Sequence, residues 1–184
     1  MTSVQQAVDI LNQGGVVGMP TETVYGLAAR IDSEEGLRRI FSMKQRPFFD
    51  PLIVHVASIE DAKNLVSEWN PRAEVLAQSF WPGPLTLVLP KNEKVSSLIT
   101  SGLMTVGLRC PAHPLAQELI RRAGVSLAAP SANRFGRTSP TRADHVRRVN
   151  AALRQGGRDG LLEHLQVVVG VLQRPVRRQA HAAL

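Results

Sequence analysis

The chain has 184 residues, 22 Lys+Arg against 15 Asp+Glu, and a formal charge of +7. Its 43% hydrophobic and 20% charged content fits one globular domain and excludes a wholly disordered or fibrous chain. The single cysteine, Cys110, excludes an internal disulfide framework and a cysteine-clustered zinc site.

Residues 3–12 place Val4, Ala7, Val8 and Leu11 on one helical face, and Gly14-Gly15 end that helix. The apolar run 16–19 before Pro20 predicts a buried strand. Asp32 and Glu35 have capping-box spacing at the head of a helix reaching about Met43. Residues 52–56 read as a strand. Helices follow near 59–69 and 71–80, the second with Asn70 as cap and Pro71 at its first position. Strands at 85–89 and 104–108, a helix at 114–122 and a strand at 125–129 complete an alternating α/β layered pattern. No window of about 20 apolar residues suits a membrane helix, and the start lacks the features of a leader, so the expectation is a cytoplasmic protein.

The charge is unevenly placed. Residues 1–141 carry 14 Lys+Arg against 12 Asp+Glu, whereas residues 142–184 carry 8 Arg against Asp144, Asp159 and Glu163. Lys, Ser, Thr and aromatic residues all lie before position 142. The pI near 10.7 therefore reports mostly the tail. It motivates an alternative reading as an RNA-binding module, although the tail has no aromatic on which a base could stack.

Four segments carry groups that a sheet interior cannot use. Pro20-Thr-Glu-Thr-Val-Tyr-Gly26 sets two hydroxyls, a carboxylate and a phenol after a strand, as either a capped turn or a site loop. Lys44-Gln-Arg-Pro47 offers two cations that could hold phosphate oxygens or simply oppose a helix dipole. Arg109-Cys-Pro-Ala-His113 follows a strand. Arg109 there suits a carboxylate, a phosphate or a surface ion pair, Cys110 reads as a small buried residue, and His113 as a helix cap. The loop from Pro130-Ser-Ala-Asn133 to Thr138-Ser-Pro140 can turn several donors toward an anion. His55, inside an apolar strand, reads as a core histidine. The Walker-type phosphate loop, G-x-G-x-x-G, H-E-x-x-H and G-x-S-x-G are all missing.

In order, Pro20-Thr-Glu-Thr-Val-Tyr-Gly-Leu27, Lys44-Gln-Arg-Pro47, Pro51-Leu-Ile-Val-His-Val56, Trp81-Pro-Gly-Pro-Leu-Thr86, Val106-Gly-Leu-Arg109, Pro111-Ala-His-Pro114, Ala128-Ala-Pro-Ser-Ala-Asn133 and Ser139-Pro-Thr141 resemble the YrdC family of threonylcarbamoyl-AMP synthases. The resemblance covers most of residues 5–147. It implies a single-domain twisted mixed α/β sheet with flanking helices. The implied reaction joins L-threonine, bicarbonate and ATP into threonylcarbamoyl-adenylate and pyrophosphate, for the threonylcarbamoyl modification of tRNA. Lys44 and Arg46 then match the catalytic cations at the phosphates. Thr21, His55 and Arg109 match threonine-binding positions. Thr105, Ser131, Asn133 and Ser139, with Lys44, match positions around ATP. Magnesium is expected to accompany ATP, without a protein-derived metal site. The implied partners are RNA or tRNA and a downstream tRNA threonylcarbamoyl-transfer complex, with no membrane.

The resemblance breaks after about Arg147. The tail has no serine or threonine for the family's late threonine contact, and Asp50 stands where the family has asparagine. Residues 1–147 read as the YrdC-like domain. Residues 148–184 read as a basic tail that is either divergent or not in the family's original reading frame.

Overall fold

A computed structural model describes residues 3–44, 50–133, 138–148 and the backbone of 166–167. The first helix, α1 (Val4–Asn12), starts on a capping box between Ser3 and Gln6, and Gly14 turns the chain out at φ 72°. The strand β1 (Val17–Pro20) then forms a hairpin with β2 (Tyr25–Arg30), the four residues from Thr21 to Val24 making the turn. The composition did not announce β2. Its Tyr-Gly-Leu-Ala-Ala-Arg sequence is buried on both faces and poor in β-branched residues, so neither alternation nor propensity marks it.

The next helix, α2 (Glu34–Lys44), differs at its start from the expected capping box. Ser33 Oγ accepts the Gly36 N–H at 3.1 Å, while Asp32 pairs with Arg30 at 2.8 Å. A serine beside the first turn takes the cap, and the aspartate is drawn to the nearer guanidinium.

Beyond it lie β3 (Ile53–His55), α3 (Ile59–Lys63), α4 (Pro71–Phe80), β4 (Leu87–Pro90), α5 (Ser97–Thr100), β5 (Thr105–Arg109), α6 (Pro114–Ala123), β6 (Leu127–Ala128) and β7 (Gln166–Val167). The caps at Asn70, with Pro71 following, and at His113 match the sequence reading. The helix expected over 59–69 ends early, and Val66 instead bridges to Lys91 beside β4. The tail's Gln166–Val167 lies parallel to β1; the remainder of 149–184 falls outside the described residues.

One seven-stranded mixed sheet runs in the order β4-β5-β3-β6-β2-β1-β7. Because side chains alternate along a strand, the register sorts residues by face. Ala29, Val54, Leu87, Leu89, Val106, Leu108 and Ala128 share one face and join a core with Leu37, Ile40 and Phe41 of α2 and residues of α3, α4 and α5. On the other face, Val17, Met19, Ala28 and Leu127 pack under α1 and α6. That second core stops short of β5 and β4. Thr105, Gly107 and Arg109 remain part-exposed there, and Val88 is 66% exposed. Among the described residues, the second core thus covers only half of this sheet face, and the other half is the floor of the candidate site.

Candidate active site

Parallel pairing of β3 with β5 sets His55 directly beside Arg109. His55 is buried, and its Nδ1 has no hydrogen-bond partner. Burial, reinforced by the Arg109 charge, lowers its pKa to about 4, with Ile53 and Glu22 pulling weakly the other way. His55 is therefore neutral near pH 7. The guanidinium next to it also carries an orphan: Arg109 Nε is buried and unpartnered. His55 Nδ1 and Arg109 Nε are thus both buried polar atoms without a hydrogen-bond partner, on paired positions of neighbouring strands.

The β1–β2 turn closes over this pair. Arg109 Nη2 donates to Glu22 Oε1 at 2.6 Å and to Thr23 Oγ1 at 3.0 Å, and Glu22 Oε2 accepts the Ala112 N–H at 3.0 Å. Burial alone would raise the Glu22 pKa, but the Arg109 hydrogen bond and charge and the backbone donors hold it below the ordinary carboxylate value. Thr21, only 3% exposed, is the hub of the turn. Its hydroxyl donates to the Val24 carbonyl at 2.6 Å and accepts from the Val24 and Thr23 N–H groups at 3.2 and 3.3 Å. It also meets the Thr23 hydroxyl at 3.1 Å. The Thr21 hydroxyl is thus engaged within its own turn.

The loop after β6 crosses the start of β2. Gly26 bridges Ser131, and Ala132 N–H donates to the Tyr25 carbonyl at 2.7 Å. A Cβ at Gly26 would lie 3.2 Å from Ala129 Cβ and 3.3 Å from the Pro130 carbonyl, so the close crossing favours glycine. Lys44, at the end of α2, reaches into this loop. Its ammonium, 2% exposed, donates to the Ser131 carbonyl and to the Asn133 carbonyl, the latter at 2.6 Å. Ser139 Oγ meets Asn133 Oδ1 at 3.3 Å. The structure thereby gathers Lys44, Ser131, Asn133 and Ser139 into one cluster.

Thr105 stands at the far end of β5 on the same face as Arg109, about 13 Å away by strand rise. Arg46 lies outside the described residues. Cys110 is buried, and its thiol, pushed up by desolvation, accepts from Gln117 Nε2 at 3.1 Å, as a structural cysteine would. Among the described residues no group of three His, Cys, Asp or Glu could hold a metal ion. No described helix is long and apolar enough to cross a membrane. The sequence reading gave no role to Glu22 or Thr23. Their partner is 86 or more positions away, and only the placement of the turn over β5 reveals it.

The candidate site is thus a buried Arg–His pair on neighbouring strands of an α/β sheet, under a hydroxyl-rich turn. The chain belongs to the Sua5/YciO/YrdC family, whose model, described as "Telomere recombination", matches residues 9–157. It is 51% identical over 140 residues to the threonylcarbamoyl-AMP synthase of Pyrococcus abyssi, covering 76% of this chain and 41% of that protein. It is 38% identical to the synthase of Vibrio vulnificus, covering 75% of each. The crystal structure of P. abyssi Sua5 complexed with L-threonine superposes with a TM-score of 0.82 at 44% identity, over 91% of this chain and 46% of that one. The chain thus spans less than half the length of the longer relatives.

Proposed function

We propose that the protein is a threonylcarbamoyl-AMP synthase, a nucleotidyltransferase acting on L-threonine, bicarbonate and ATP. The observation that carries this reading is the Arg109–His55 pair on neighbouring strands, held under the hydroxyl-rich β1–β2 turn. A family relative crystallised with L-threonine supports it. Arg109 would take the threonine carboxylate. Neutral His55 would offer a ring nitrogen, and Thr21 would act through the turn that it holds together.

The threonine amine, carboxylated by bicarbonate with loss of water, becomes a carbamate whose oxygen attacks the α-phosphorus of ATP, and pyrophosphate leaves. Positive charge at the phosphates and fixed positioning are what such a step needs. Lys44 and Arg46 would supply the charge, while Thr105, Ser131, Asn133 and Ser139 would line the nucleotide. Magnesium would arrive with ATP and neutralise its phosphates. The adenylate would feed a separate tRNA threonylcarbamoyl-transfer complex, in the cytoplasm. An RNA-binding role resting on the basic tail has no comparable support.

The test is pyrophosphate release with each substrate omitted in turn. Release should need ATP, threonine and bicarbonate together. Release that ignores threonine rejects the reading.

A further inference from the structure

We propose that Glu22 is the positioning residue for Arg109, fixing the guanidinium that meets the carboxylate of the amino-acid substrate. This rests on the functional reading above. Glu22 and Arg109 side chains are 9% and 11% exposed, and their 2.6 Å contact joins residues 87 apart. One carboxylate spans two segments, since Oε1 takes Arg109 Nη2 and Oε2 takes the Ala112 N–H within the β5–α6 loop.

The turn bearing Glu22 is not free to swing. Pro20 pairs with Tyr25 across it, and Thr21 ties its backbone at Val24 and Thr23. The hydroxyl protons can run in one direction. Arg109 donates to Thr23, Thr23 to Thr21, and Thr21 to the Val24 carbonyl, because a guanidinium cannot accept. Arg109 Nη2 is thereby committed to the protein, while Nε is buried without a partner.

A Glu22 that competed with substrate would have to leave both partners and strand a buried carboxylate, which the locked turn opposes. A Glu22 that stays put orients Arg109 as outer partners orient metal ligands, where their loss costs about 10- to 100-fold in affinity.

The experiment compares binding of L-threonine, L-threonine amide and ATP by calorimetry in the full chain, wild type against E22Q and T23A. E22Q should weaken threonine about tenfold, leaving the amide and ATP unchanged. T23A, whose exposed position puts folding at little risk, should shift threonine in the same direction by less. An E22Q protein that binds threonine as tightly as wild type or tighter, or that loses acid and amide equally, overturns the proposal.

If wild type fails to prefer the acid over the amide, the functional reading falls instead. The Arg109 Nε–H resonance then decides the positioning claim by itself. It should be distinct and slowly exchanging in wild type and averaged in E22Q; identical behaviour in both overturns it.

Discussion

Acidifying the solution from about pH 7.5 to about pH 5 should cost the protein stability through one residue, His55. Its folded pKa is lowered to about 4 from an ordinary 6.5, because a buried imidazolium beside Arg109 is disfavoured. The unfolded chain therefore binds a proton that the folded chain refuses. The contribution is intact above the unfolded value and is lost progressively as pH falls toward the folded one. The full shift corresponds to about 3 kcal/mol, of which about 2 kcal/mol disappears by pH 5. Glu22 does not blur this window, since its lowered pKa makes it matter only below the ordinary carboxylate range. The assay is urea denaturation at a series of pH values, wild type against His55→Gln. The wild-type midpoint should fall with acid, while the variant's stays flatter over the same range. Parallel curves would mean that His55 is solvated or paired, and would contradict its burial without a partner at Nδ1.

Other outcomes follow from the same geometry. Lys44→Met should lower stability by about 2 kcal/mol, because the Ser131 and Asn133 carbonyls lose a charged donor, and it should abolish nucleotide binding. Denaturation and ATP titration check the two effects. Gly26→Val should cost about 1–3 kcal/mol, since its side chain meets Ala129 and the Pro130 carbonyl at the loop crossing; a thermal melt reads this directly. Asn70→Ala removes the cap on Ala73 N–H, and calorimetric unfolding should show a loss of about 1 kcal/mol with pyrophosphate release unaffected.

How far the sequence spoke depended on whether the signal was local. The cap at Asn70-Pro71, the helix start at His113 and the buried character of Cys110 are written in neighbouring residues, and each appears as read. Strand β2 was hidden because burial on both faces erases alternation, and α5 because four residues carry little periodicity. At the site, ordered motifs pointed to Arg109, His55 and Lys44, but not to their states. That His55 is neutral follows from its sheet position, and that Lys44 braces the 131–133 loop follows from an approach across 87 residues. Glu22 stood in a recognised segment without a role, because its ion pair exists only once the hairpin folds over β5.

The central claim is that the open sheet face beside Arg109 joins three small molecules into one adenylate. Incubating the protein with ATP, L-threonine and carbon-13 bicarbonate, then weighing the nucleotide products, tests it most directly. The claim predicts a threonylcarbamoyl-adenylate heavier by the label, formed in step with pyrophosphate and absent from the Arg109→Ala protein. Pyrophosphate formed without a labelled adenylate, or the same adenylate made at full rate by Arg109→Ala, would contradict it.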